Sequence, residues 1–155
     1  MSVCEEIVEE MRKDGIEDVV RQLIVGVSVV KVPLLPWQTV DARFTVRVKR
    51  RMLRKGVMEI CDNTTGECCT MQAVYGADVL LLKRGDVVYD LDIGKGRSAR
   101  ALVRAEDVSS ALRSYKEHLE KDVIRLHVSM KIEEMERALR RISEISKALE
   151  YLSPR

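Results

Sequence analysis

The sequence predicts an α+β fold: a mainly antiparallel sheet of four to five strands, with N-terminal helices before it and a long coiled-coil-like helix after it. Three observations carry this expectation. Apolar residues recur at helical spacing over 3–13. They alternate strictly with polar ones from Asp41 to Lys49. They then fall on a heptad late in a stretch that has no Gly or Pro between Gly96 and Pro154. With 155 residues, 46% hydrophobic and 34% charged, the chain has the composition of a globular protein able to bury a core.

Each element follows in order. Val3, Ile7, Val8 and Met11 share one helical face, and Gly15 ends that helix. A second short helix is expected from Ile16 to Ile24, then an extended valine-rich segment, GVSVVKV at 26–32. Pro33 and Pro36 mark a loop. From Asp41 the period becomes two: Ala42, Phe44, Val46 and Val48 point to a core, and Arg43, Thr45, Arg47 and Lys49 point away. GVMEIC and CCTMQAVY flank the turn-forming DNTTGE and read as a hairpin. DVLLLK and VVYDLDI flank RGD and read as a second hairpin, with GKGRS at 94–98 as a loop.

The last third is expected to be helical from about Val108, with Asp107 as its cap. Val128, Met135, Ile142 and Leu149 fall seven apart, and Ala138, Ile145 and Leu152 follow the last three of them by three, forming an a/d seam. Leu112, Leu119 and Leu126 repeat in another phase. Unbroken from 108 to 152, such a helix would extend about 67 Å, so part of it would project and require a partner. VIRLHVSMKI at 123–132 alternates like a strand, but no turn signal bounds it, and it is taken as helix. The domain reading is therefore a binding domain over 1–106 and a helical oligomerisation segment over 107–155.

The near-neutral net charge of +2 hides a segregation. Residues 1–20 carry seven acids and two bases, 21–105 carry fifteen bases and eight acids, and 106–155 carry ten of each. Seven of the thirteen residues in RFTVRVKRRMLRK at 43–55 are basic and none is acidic. Such asymmetry points to a polyanionic partner. Successive outward positions on a strand are about 7 Å apart, which suits the phosphates of an extended single strand. Arg43, Arg47 and Lys49 would line that face, Arg50, Arg51, Arg54 and Lys55 would continue it into the next turn, and Lys95, Arg97 and Arg100 would widen it. The bland alternative is a solvated face whose cations are paired to acids, and the acidic N-terminal helix is one element that could cover it. Aromatic residues are few. Trp37, beside Pro36 in a loop, is either a stacking platform for a base or a lid on the core.

No constellation with catalytic roles assembles, so no enzyme activity, cofactor or metal site is expected. Asp90 and Asp92 share a strand face and could attract a cation, but two carboxylates alone are a weak signal. GKGRS lacks the spacing of a phosphate loop. Cys4, Cys61, Cys68 and Cys69 match no zinc pattern; they read as reduced structural residues, with a bridge from Cys61 to Cys68 or Cys69 as the alternative. No run of 18 apolar residues occurs and the N-terminus is acidic, which predicts a cytoplasmic protein. Abundant Glu, Lys and Arg with few Gln and Asn fit a thermophile.

With ARFTVRVKRRMLRK as the basic sheet and Val128, Met135, Ile142 and Leu149 as a leucine-zipper-like repeat, the order of parts over nearly the whole chain resembles the archaeal thermophilic single-stranded DNA-binding proteins called ThermoDBP and their relatives. That resemblance implies sequence-tolerant binding of single-stranded DNA, with RNA as a further ligand, in a positively charged cleft, and assembly into a homo-oligomer through Val128, Met135, Ile142, Ile145, Leu149 and Leu152. The rival expectation is a protein-interaction module whose C-terminal coiled coil and basic strand meet other proteins, one of them acidic.

Overall fold

The computed structural model describes residues 2–16, 32–35, 37–51 and 54–153. Helix α1 (Val3–Asp14) begins at a capping box between Ser2 and Glu5 and ends at Gly15, whose φ of 62° is the left-handed conformation a glycine adopts without strain. Apart from Ile16 itself, which is helical and buried, the second helix expected as far as Ile24 and nearly all of the valine-rich segment lie outside the described residues. That segment's last residue, Val32, opens β1 (Val32–Leu34). Pro33 thus sits in a strand and not in a loop. It is tolerated because β1 is an edge strand, where a missing N–H costs no ladder bond.

Strands β2 (Phe44–Arg51) and β3 (Arg54–Asp62) form an antiparallel pair, and β4 (Cys68–Gln72) adds to β3 around the expected turn. The turn is held locally: the Thr64 N–H donates to the Asp62 carboxylate at 2.9 Å, and Asn63 Nδ2 donates to the Ala42 carbonyl at 2.9 Å. The chain then departs from expectation. Residues 75–84 form helix α2 (Tyr75–Arg84), not the first strand of a hairpin. Val79, Leu80, Leu81 and Leu82 are all buried, because α2 packs against α1 and the last helix and shares one core cluster with the sheet. A short continuous apolar run reads the same as buried strand or buried helix, and Leu, Ala and Lys favour helix.

This helix changes the topology. A tight RGD turn would have forced an antiparallel neighbour. The crossover through α2 instead returns β5 (Val87–Gly94) parallel to β2, and parallel strands require such a connection. Strand β6 (Arg97–Val103) follows through a two-residue turn in which Lys95 and Gly96 both have positive φ (56° and 71°), the requirement of a type I′ hairpin. GKGRS is therefore a hairpin tip, not an open loop, and RALV beyond it is strand. The result is one mixed six-stranded sheet in the order β1-β6-β5-β2-β3-β4, where four to five mainly antiparallel strands were expected.

The C-terminal third is helical as expected, ending in a long helix, but in two pieces. Helix α3 (Ala105–Val128) and helix α4 (Ile132–Leu152) are separated by Ser129–Lys131. The break is a Schellman motif: the Lys131 N–H donates to the Leu126 carbonyl (2.9 Å) and the Met130 N–H to the His127 carbonyl (3.1 Å). Met130 takes the left-handed position, at φ 60°. The chain reverses there, so Val108 and Leu112 of α3 and Ile145, Ala148 and Leu152 of α4 enter one core with α1, α2 and the sheet. Among the described residues one core cluster takes side chains from both 1–106 and 107–155. Residues 123–128 are helical, settling the strand alternative for that stretch. No helix among the described residues is long and apolar enough to cross a membrane.

The strand residues in the core are Phe44, Val46, Met58, Ile60, Val87, Tyr89 and Val103, all of one alternating set. The described helices therefore all pack on one sheet face. The Tyr89 hydroxyl donates to Asp78 of α2 there, and burial, with the Asp78 charge, holds its pKa well above the usual phenol value. All four cysteines are bridged, not reduced. Cys61 pairs with Cys68 directly across β3 and β4, and Cys4 of α1 pairs with Cys69. Adjacent strand residues point to opposite faces, so Cys68 and Cys69 cannot both reach Cys61.

Candidate nucleic-acid interface

The face of the sheet opposite the helices carries the basic residues. Strand alternation buries Phe44 and Val46 and turns Arg47 and Lys49 outward, as the sequence period requires. The acidic helix α1 does not cover this face. Its Val3, Ile7 and Met11 are buried in the core on the other side. Glu6 and Glu10 of α1 instead receive hydrogen bonds from Arg84 at the end of α2, with Nη1 to Glu6 at 3.0 Å. Burial works against the Arg84 charge, but these two carboxylates outweigh it and its pKa is raised.

Register places charges in a row across the middle of this face, which no described helix covers although Val88, one row away, is 2% exposed. Arg100 of β6 opposes Asp90 of β5, Asp90 neighbours Arg47 of β2, and Arg47 opposes Glu59 of β3. Arg47 lies 3.6 Å from the Asp90 carboxylate and 4.0 Å from that of Glu59. Arg100 donates to the Gln38 carbonyl at 3.1 Å. Arg43 lies just before β2, 3.7 Å from Asp62 and stacked 5.0 Å from the centre of the Phe44 ring. The bland reading thus describes Arg43 and Arg47 well. Lys49 differs: it is exposed, sits beside Val57 and makes no ion pair among the described residues.

The remaining basic positions gather at one end of the sheet. Because β2 and β5 are parallel, the β2–β3 connection and the β5–β6 turn lie at the same end. The first carries Arg50, Arg51, Arg54 and Lys55, and the second carries Lys95 and Arg97. Arg50 and Arg51 are still in β2, and Arg54 and Lys55 already in β3, so the charge does not lie in a turn as expected. Strand β1 runs antiparallel to β6, so the loop after Leu34 leaves toward this same end. Trp37 stands on that loop, 75% exposed, and is not a lid on the core. The loop is tied back to the open face by the Arg100 bond to Gln38, and Gln38 Oε1 accepts from the Leu35 N–H at 2.8 Å.

The heptad residues divide. Ile145 is fully buried and Leu152 nearly so, both within the chain's own core, while Met135, Ile142 and Leu149 are half-buried and Val128 is exposed. The upper seam therefore faces α3 and the body of the same chain, because the reversal at Met130 folds it back. Exposed apolar side chains collect toward the far end of the hairpin instead: Ile124, Val128, Met130, Ile132 and Leu139. Asp90 is engaged with Arg47, and Asp92 accepts the Gly94 N–H at 2.9 Å. Among the described residues no cluster of three His, Cys, Asp or Glu could hold a metal.

Two features of the site were not found from sequence: the acids flanking Arg47 and the juxtaposition of the two basic hairpins. Both depend on β2 lying beside β5, which the strand reading of 78–83 concealed. Comparison of the chain with protein-family models, with curated proteins and with solved structures returns no match.

Proposed function

We propose that this protein binds single-stranded nucleic acid, DNA and also RNA, with little sequence preference, and does so as a homo-oligomer. The observation that carries the reading is the meeting of the β2–β3 and β5–β6 hairpins at one end of the sheet, with exposed Trp37 on the loop that leaves β1 toward that end. Lys49, Arg50, Arg51, Arg54, Lys55, Lys95 and Arg97 supply cations at that end. Phosphates would bind by counterion release, and a base would stack on Trp37. The exposed apolar end of the α3–α4 hairpin supports self-association, which would join two basic ends in one particle and raise avidity.

Anisotropy titration with labelled single-stranded and duplex oligonucleotides over a salt series tests this. Affinity for single strands falls steeply with salt, and Lys95→Ala with Arg97→Ala flattens the log–log slope by about 0.7 per lost contact. Trp37→Ala weakens binding by about 1–3 kcal/mol. Affinity that ignores salt would sink the proposal. The same apolar end favours a second reading, a protein-interaction module. A monomer that binds no oligonucleotide but captures an acidic protein would select it.

A further inference from the structure

The charge on the sheet face opposite the described helices changes along the strands, and Val88 in its first row is buried. The row through Thr45 contains Leu102, Val88, Cys61 and Cys68 and carries no charge. The row through Arg47 contains Arg100, Asp90 and Glu59, two cations and two anions. The row through Lys49 contains Val57 and Gln72, and the parallel register carried one step past Val48–Leu91 brings a single acid, Asp92, to its level. Beyond it come the four bases of 50–55, with Lys95 and Arg97 on the neighbouring hairpin. The acid nearest that end by register is Asp92, opposite Ser98, and it is held by the Gly94 N–H.

We infer that Glu59 and Asp90 are specificity-determining residues that keep the polyanion off the middle of the sheet and confine it to the hairpin end. The inference rests on the nucleic-acid reading above. A strand running along β2 would set a phosphate at Arg47, where the two carboxylates already lie 3.6 and 4.0 Å from the guanidinium. Like charges so placed repel, and Arg47 has no uncompensated charge to offer. A strand crossing the ends of β3, β2, β5 and β6 passes the backbone positions of the basic residues on both hairpins. Neighbouring strands are about 4.8 Å apart, so this crossing path spans about 14 Å. The bound strand therefore runs across the sheet strands, not along β2, and Arg47 is a structural cation rather than a phosphate ligand.

The test uses the full chain and a fluorescein-labelled 20-nucleotide oligothymidylate over a salt series. Arg47→Ala leaves the salt slope of the wild type unchanged. Glu59→Gln with Asp90→Asn steepens it by about 0.7, one added phosphate contact, and raises affinity several-fold at low salt. Adding Arg47→Ala to that pair removes the gain. Circular dichroism confirms that each variant is folded, which these exposed and half-exposed positions permit. A slope lowered by Arg47→Ala alone, or a gain that survives without Arg47, overturns the inference while leaving the binding reading intact. Wild-type binding without salt dependence overturns the reading, and the inference with it.

Discussion

Met130 shows how one residue decides what a long helical stretch becomes. It occupies the left-handed position of a Schellman motif that is usually glycine's, at φ 60° and largely exposed. An L-residue there is disfavoured by about 1–2 kcal/mol, and little burial offsets it. Replacing Met130 by Gly should therefore stabilise the protein by about 1 kcal/mol, visible as a raised denaturant midpoint at unchanged m. A Met130→Gly variant no more stable than wild type would mean that the methionine side chain contributes more at the tip than its exposure suggests. The same residue explains why the reversal was illegible. A glycine at 130 would have announced a helix end; a methionine inside a heptad does not.

Among the elements, the two bridged pairs differ in what they constrain. Cys4–Cys69 joins α1 to β4 across 65 residues of sequence, whereas Cys61–Cys68 closes a hairpin with a separation of 7. On the chain-entropy estimate, removing the first costs about 4 kcal/mol and the second about 2.5 kcal/mol. Urea unfolding of Cys4→Ala/Cys69→Ala and Cys61→Ala/Cys68→Ala variants checks the order, and the larger loss should fall on the pair holding α1. Equal losses would point to α1 being held chiefly by Val3, Ile7 and Met11. Element by element, legibility tracks periodicity. Strand β2 was readable because Phe44, Val46 and Val48 alternate with Arg and Lys, and α1 because Gly15 ends a 3.6-residue repeat. Helix α2 was not, because a run such as VLLL has no period. Strand β6 was hidden because Lys95, unlike Asn or Asp, is not a hairpin signal. One misread element then concealed the parallel β2–β5 pair, and with it the location of the basic end. The basic residues were visible as a list, but their partners Glu59 and Asp90 come from other strands and appear only once register is fixed.

At the scale of the whole molecule, the described helices cover one sheet face and the α3–α4 hairpin carries apolar groups away from the body. The heptad that suggested assembly is divided by this architecture: its later residues lie in the chain's own core, and its free surface lies toward the Met130 reversal. Two substitutions separate these roles. Ile145→Ala removes a fully buried side chain and should lower stability by about 2–5 kcal/mol. Ile132→Glu with Leu139→Glu changes partly exposed positions and should leave monomer stability nearly unchanged. If self-association uses the outer part of the hairpin, sedimentation velocity over a concentration series will show the wild type shifting to larger species and this double variant remaining a monomer, because two charges would be buried unpaired. Its affinity for an oligonucleotide long enough to reach both basic ends should fall too, while the affinity and salt slope for a short one bound by a single end stay the same. A wild type that sediments as a monomer at all concentrations would remove self-association from the proposed function and leave Ile124, Val128 and Ile132 to a different partner.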